Sequence, residues 1–166
     1  KIVYCYFGNP SKFIMNQLQH KASDPSLSTW VLASAGTGKT KILTDRVLRL
    51  LLADEDANKV LCLTFTNAAA TEMEDRINSA LEHWSKIDHD SLQLSLKMML
   101  GRSPTKEEME CAKSLYIKYL TSEKKVGIYT IHSFCQKLLQ TFPIEAGIKP
   151  SFKIIDETKA QQILSQ

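Results

Sequence analysis

Between Ala33 and Thr40 the sequence reads ASAGTGKT: two glycines at alternate positions, then a lysine and a hydroxyl residue. Gly36 and Gly38 let the backbone turn tightly and gather N–H groups at one point, which suits phosphate oxygens when a helix starts just beyond. Lys39 would reach the β- and γ-phosphates of a nucleotide and offset charge in the transition state of phosphoryl transfer. The Thr40 hydroxyl would complete the shell of a magnesium ion. Ser34, Ala35 and Thr37 complete the loop, so a nucleotide with Mg is the expected ligand. The strict loop pattern begins with glycine, and Ala33 stands there instead; the physical need is a small side chain at the turn, which alanine nearly meets. A dinucleotide-binding GxGxxG loop is excluded, because Lys41 replaces its third glycine.

Such a loop works only between a strand and a helix. TWVLASA is a short apolar run that enters the loop as a buried strand, and Ile42, Leu43, Val47, Leu50 and Leu51 recur at the three- and four-residue steps of an amphipathic helix leaving it. KVLCLTF reads as a second buried strand. NAAATEMEDRINSALEHW follows as a helix with Asn67 as its cap and Ala69, Met73, Ile77, Ala80, Leu81 and Trp84 on one face. Two further helical stretches, SLQLSLKMML and TKEEMECAKSLYIKYL, are separated where Gly101 and Pro104 end one helix and open the next. VGIYT and HSFCQKLLQTF then resume the alternation as a third strand and its helix. Upstream, Phe13, Ile14 and Leu18 allow a short helix over 13–21, broken by SDPSLS. The alternation predicts an α/β fold: one parallel sheet covered by helices on both faces, with ligands at the carboxyl ends of the strands.

Composition agrees with a globular chain, with 43% apolar and 23% charged residues. A formal net charge of +3 neither demands nor excludes a polyanionic partner. Cys5, Cys62, Cys111 and Cys135 lie far apart with no CxxC pair, which suggests neither a zinc site nor a disulfide framework. The early run IVYCYF is too short for a signal-peptide core, and no stretch approaches the roughly 18 apolar residues of a membrane span. A cytoplasmic location is expected.

Three segments taken together, ASAGTGKT, LTFTNAAATEMEDRI and TIHSFCQKLL, resemble in order and spacing motifs I, Ia and Ib of the superfamily 1 DNA helicases of UvrD/RecB type. The longer runs SDPSLSTWVLASAGTGKTKILTDRVLRLLL and FPIEAGIKPSF are similar to the AddA-type helicase subunits of the bacterial double-strand-break repair helicase-nuclease. The resemblance runs from about Gln19 to the chain end. It implies a P-loop, RecA-like fold, with ATP phosphates and magnesium held by Ala33 to Thr40 and adenine read by Gln19, although Gln17 stands two residues away. It implies single-stranded DNA contacts at Thr64, Phe65, Thr66 and Asn67 and at Thr130, His132 and Ser133, and an AddB-like partner subunit for the full-length protein. Phe65 would stack on a base, a contact worth about 1 to 3 kcal/mol, or else complete the core. Arg76 either supports a phosphate or pairs with Glu72 one turn back.

The domains implied are an N-terminal segment, 1–27, and a partial UvrD-like ATP-binding domain, 28–166, with a helical insertion at about 85–122. Hydrolysis needs an aspartate for magnesium and a glutamate for the attacking water. Asp156 and Glu157 in IIDE look like that pair, but the surrounding KPSFKIIDETKAQQIL resembles a segment that precedes the acidic motif in the family, so Asp156 is assigned as a helix cap. With no acidic motif, no second lobe and a final helix running to Gln166, the chain is expected to be an incomplete lobe that binds ATP and DNA without unwinding. The rival readings are another P-loop enzyme such as a small-molecule kinase, and a non-enzymatic remnant or DNA-binding fragment.

Overall fold

In the stretch Asn67–Lys86 apolar side chains return every three to four residues, and in the computed structural model this run is the helix α3, burying Met73, Ile77, Leu81 and Trp84. The structure describes residues 2–7, 12–33, 38–123, 125–150, 152 and 155. In chain order the elements are β1 (Ile2–Phe7), α1 (Lys12–Ala22), β2 (Ser28–Ala33), α2 (Lys39–Leu52), a 3-10 turn (Ala57–Lys59), β3 (Leu61–Thr64), α3, α4 (His89–Leu100), α5 (Lys106–Thr121), β4 (Gly127–Thr130) and α6 (Ile131–Thr141). The helix expected over the chain end, the Asp156 cap and the Asp156–Glu157 pair lie outside the described residues, as do Ser34 to Thr37.

The core is helical. Val47, Leu48, Leu51 and Leu52 of α2 meet the apolar face of α3, and Leu92, Leu96 and Met99 of α4 with Met109, Ala112, Leu115 and Tyr119 of α5 join the same cluster. The helices between β3 and β4 are therefore packed into the main core and do not stand apart from it. Trp84 donates Nε1–H to Ser95 Oγ at 3.3 Å, tying α3 to α4, and Lys113 of α5 donates to the Ile87 carbonyl at the turn between them.

Several sequence expectations need correction. The strands form two separate two-stranded parallel sheets, β1–β2 and β3–β4, among the described residues, and no single sheet joins them. Alternation of strand and helix specifies parallel direction but not which strands are neighbours. Nor are the strands covered on both faces: Trp30 and Leu32 on β2 and Leu61 and Leu63 on β3 are exposed at alternate positions, while Val31 and Cys62 between them are partly buried. On α2, Leu43 is 53% exposed and Thr44 takes the buried position, its hydroxyl donating to the Thr40 carbonyl at 3.0 Å. The cap of α3 is Thr66, not Asn67, since Thr66 Oγ1 accepts from the Ala69 N–H at 3.1 Å. Helix α5 opens on Thr105, one residue after Pro104, in a capping box with Glu108.

The strand β1 is not anticipated from IVYCYF, although its β-branched and aromatic residues are those enriched in strands. No helix among the described residues is long and apolar enough to cross a membrane.

Candidate nucleotide and nucleic-acid site

Helix α2 begins differently from the helices that follow it. Helices α3, α4, α5 and α6 each start on a side-chain cap, from Thr66, Asp88, Thr105 and Thr130. The residue at that position in α2 is Gly38, with φ 86° and ψ 24°, and it has no side chain to offer. The cap residue of α2 therefore supplies no side-chain acceptor to the first turn, at the end where the helix dipole is positive. Lys39 is exposed and Thr40 is half-buried in that first turn. A helix start that presents glycine, lysine and threonine has the donors and the hydroxyl that a nucleotide phosphate with magnesium requires.

Gln19 stands against this turn. Among the described residues, a Cβ built on Gly38 would meet Gln19 Nε2 at 3.6 Å. Gln17, the competing glutamine, is exposed. Gln19 also borders a cleft of about 670 Å³ between α1, α2, α3 and α4, whose lining includes Lys41, Asp45, Trp84 and Gly101.

What holds α1 in that place is a pair of arginines on α2 that sequence reasoning missed. Arg46 donates to the carbonyls of Asp24 at 2.6 Å and Leu27 at 2.7 Å, so it clamps the turn between α1 and β2. Arg49 donates to the His20 carbonyl at 3.2 Å and to the Met99 carbonyl at 2.5 Å, joining the C-terminal turns of α1 and α4. Cations at helix C-termini are favourable because the last carbonyls lack partners there. Burial pulls the Arg49 guanidinium below its ordinary pKa, with the Asp45 and Asp24 carboxylates opposing, and its Nε is buried without a hydrogen-bond partner. Arg46 and Arg49, three residues apart beside the apolar Val47, Leu48 and Leu50 of α2, were the available signal.

The two remaining motifs meet through a strand pair. In the β3–β4 ladder Thr64 lies opposite Thr130, so Thr64 to Asn67 and Thr130 to Ser133 stand side by side at the carboxyl ends. Phe65 is 87% exposed and does not fill the core formed by the described residues, and Asn67, His132 and Ser133 are exposed as well. Thr66 and Thr130 are occupied locally: each accepts from a backbone N–H as a helix cap, and the buried Thr130 hydroxyl also donates to Ser133 Oγ at 2.8 Å. Arg76 pairs with Glu72 at 2.6 Å, the second of its two expected roles. The glycine-loop strand β2 is not hydrogen-bonded to this pair among the described residues.

The chain belongs to the UvrD/REP helicase family, whose N-terminal domain model matches residues 15–166. Its relatives include the AddA subunits of bacterial ATP-dependent helicase/nucleases. That of Ruminiclostridium cellulolyticum is 34% identical over 139 residues, or 82% of this chain and 9% of the relative. That of Anoxybacillus flavithermus is 36% identical over 132 residues, 78% of this chain and 9% of the relative. That of Clostridium kluyveri is 32% identical over 140 residues, 82% of this chain and 10% of the relative. The chain therefore spans about a tenth of the length of the curated relatives it matches.

Proposed function

We propose that the chain is the N-terminal ATP-binding part of an AddA-type, ATP-dependent DNA helicase acting in double-strand-break repair and recombination, that it binds ATP–Mg and single-stranded DNA, and that it does not unwind DNA alone. In this reading residues 28–166 are part of a RecA-like, P-loop domain with a helical insertion at about 85–122, preceded by the segment 1–27, and the full-length protein acts on duplex DNA with an AddB-like partner. Ala33 to Thr40 hold the nucleotide, with Lys39 on its terminal phosphates, Thr40 toward magnesium and Gln19 at the adenine. Magnesium, when bound, neutralises phosphate charge. Phe65 stacks on a base while Asn67, His132 and Ser133 reach the DNA backbone; Thr64, Thr66 and Thr130 shape that edge, the last two by capping α3 and α6.

The observation that carries this reading is the start of α2 at Gly38, without a side-chain cap and beside Gln19, in a chain of the helicase family. Titration of a fluorescent ATP analogue with magnesium tests it. Lys39→Ala is expected to weaken nucleotide binding at least about tenfold, the loss of one charge-assisted contact to phosphate. Unchanged affinity would remove the site assignment.

A further inference from the structure

Gln19 is useful as a base reader only if its amide keeps one position, and a glutamine side chain has several rotamers to choose from. The residue that follows it is fixed unusually well. A Cβ on Gly101, the left-handed cap that ends α4, would approach His20 Cγ at 2.9 Å, so the His20 ring lies directly on the backbone there. His20 Nδ1 is 3.1 Å from the Met99 carbonyl and 3.3 Å from Arg49 Nη2. A neutral ring satisfies one of these two contacts at a time, as donor to the carbonyl or as acceptor from the guanidinium. Either state ties the ring to the end of α4.

From this geometry we propose that His20 and Arg49 are positioning residues for base recognition: they pin the last turn of α1 to the end of α4 and thereby hold Gln19 beside Gly38. The inference rests on the nucleotide site proposed above and adds to it the residues that set its selectivity. Helix α4 then takes part in nucleotide discrimination without touching the nucleotide. Gly101 is required on two counts, because its φ of 73° disfavours a side chain and because the ring occupies the space a Cβ would take.

The test is the preference for ATP over GTP, measured on the full chain by competition against a fluorescent ATP analogue. Gln19→Ala is expected to reduce that preference roughly tenfold, the scale of one specific hydrogen bond. His20→Leu, which keeps bulk but loses Nδ1, should reduce it similarly, with no further loss in the double variant. His20→Asn, whose amide nitrogen can stand near the place of Nδ1, should restore most of it. Arg49→Lys, which retains charge without the fork, serves in place of His20→Leu if that variant does not fold, and should likewise lower the preference. If His20→Leu or Arg49→Lys weakens ATP and GTP by the same factor while Gln19→Ala relaxes the preference, the two residues are merely structural and the inference falls. If Gln19→Ala changes nothing while Lys39→Ala abolishes binding, the inference falls and the phosphate site stands.

Discussion

Gly38 sits in the left-handed region at the start of α2, and among the described residues the nearest atom to an added Cβ, Gln19 Nε2 at 3.6 Å, is at ordinary contact distance. Gly38→Ala is therefore opposed by the backbone, and the expected loss in a urea unfolding series is about 1 to 2 kcal/mol. Gly38→Asn should lose less, because asparagine tolerates that region better than alanine does. That a glycine turn opens α2 was legible in the sequence, because Gly36 and Gly38 stand between an apolar strand run and an amphipathic helix. The clamps by Arg46 and Arg49 were not legible, since an arginine on a helix reads as a solvated charge until the carbonyls it meets are known. Phe65 lay between: its type allowed stacking or core filling, and its exposure, which sequence did not reveal, speaks only against the second among the described residues.

Among the elements, α5 has the most fully built start. Thr105 Oγ1 accepts from the Glu108 N–H at 3.2 Å, Glu108 accepts from the Thr105 N–H at 2.8 Å, and Arg102 grips both carboxylate oxygens at 2.6 and 2.9 Å. Thr105→Ala should lower stability by about 1 kcal/mol. The Arg102 hydrogen bonds, helped by the Thr105 N–H, hold the Glu108 carboxyl below its usual pKa. A carboxyl with a depressed folded pKa adds stability above its unfolded value of about 4.3, and that stability is lost as pH falls through the lower folded value. Wild-type protein should thus lose stability on acidification below that region more steeply than Glu108→Gln, as read from urea midpoints at successive pH. Helix existence was legible throughout from apolar spacing, whereas the caps were placed a residue off at α3. There two adjacent cap-forming types, Thr66 and Asn67, compete, and the backbone turn decides.

At the scale of the whole molecule the stability rests on one helical cluster in which α3 is the centre. Leu81 is fully buried within it. Leu81→Ala should cost about 2 to 5 kcal/mol, and amide exchange in α2, α4 and α5 should accelerate together, because these helices share that core. Exchange confined to α3 would show that the helices are energetically separate. The pairing of strands was the least legible feature: the alternation of strand and helix indicates parallel direction, while neighbours are chosen by contacts distant in sequence. The alternate exposed apolar side chains on β2 and β3 likewise had no signature in runs that read as uniformly buried.

The register that sets Thr64 against Thr130 has a kinetic side. Before those two residues can meet, the entire excursion through α3, α4 and α5 must be drawn into a closed loop, whose entropy has to be met before the short ladder returns any hydrogen bond. Formation of the helical cluster shortens that loop in effect by bringing its ends close. In refolding, the edge that carries Phe65 and His132 should therefore mature last, as the slow phase that follows helix assembly.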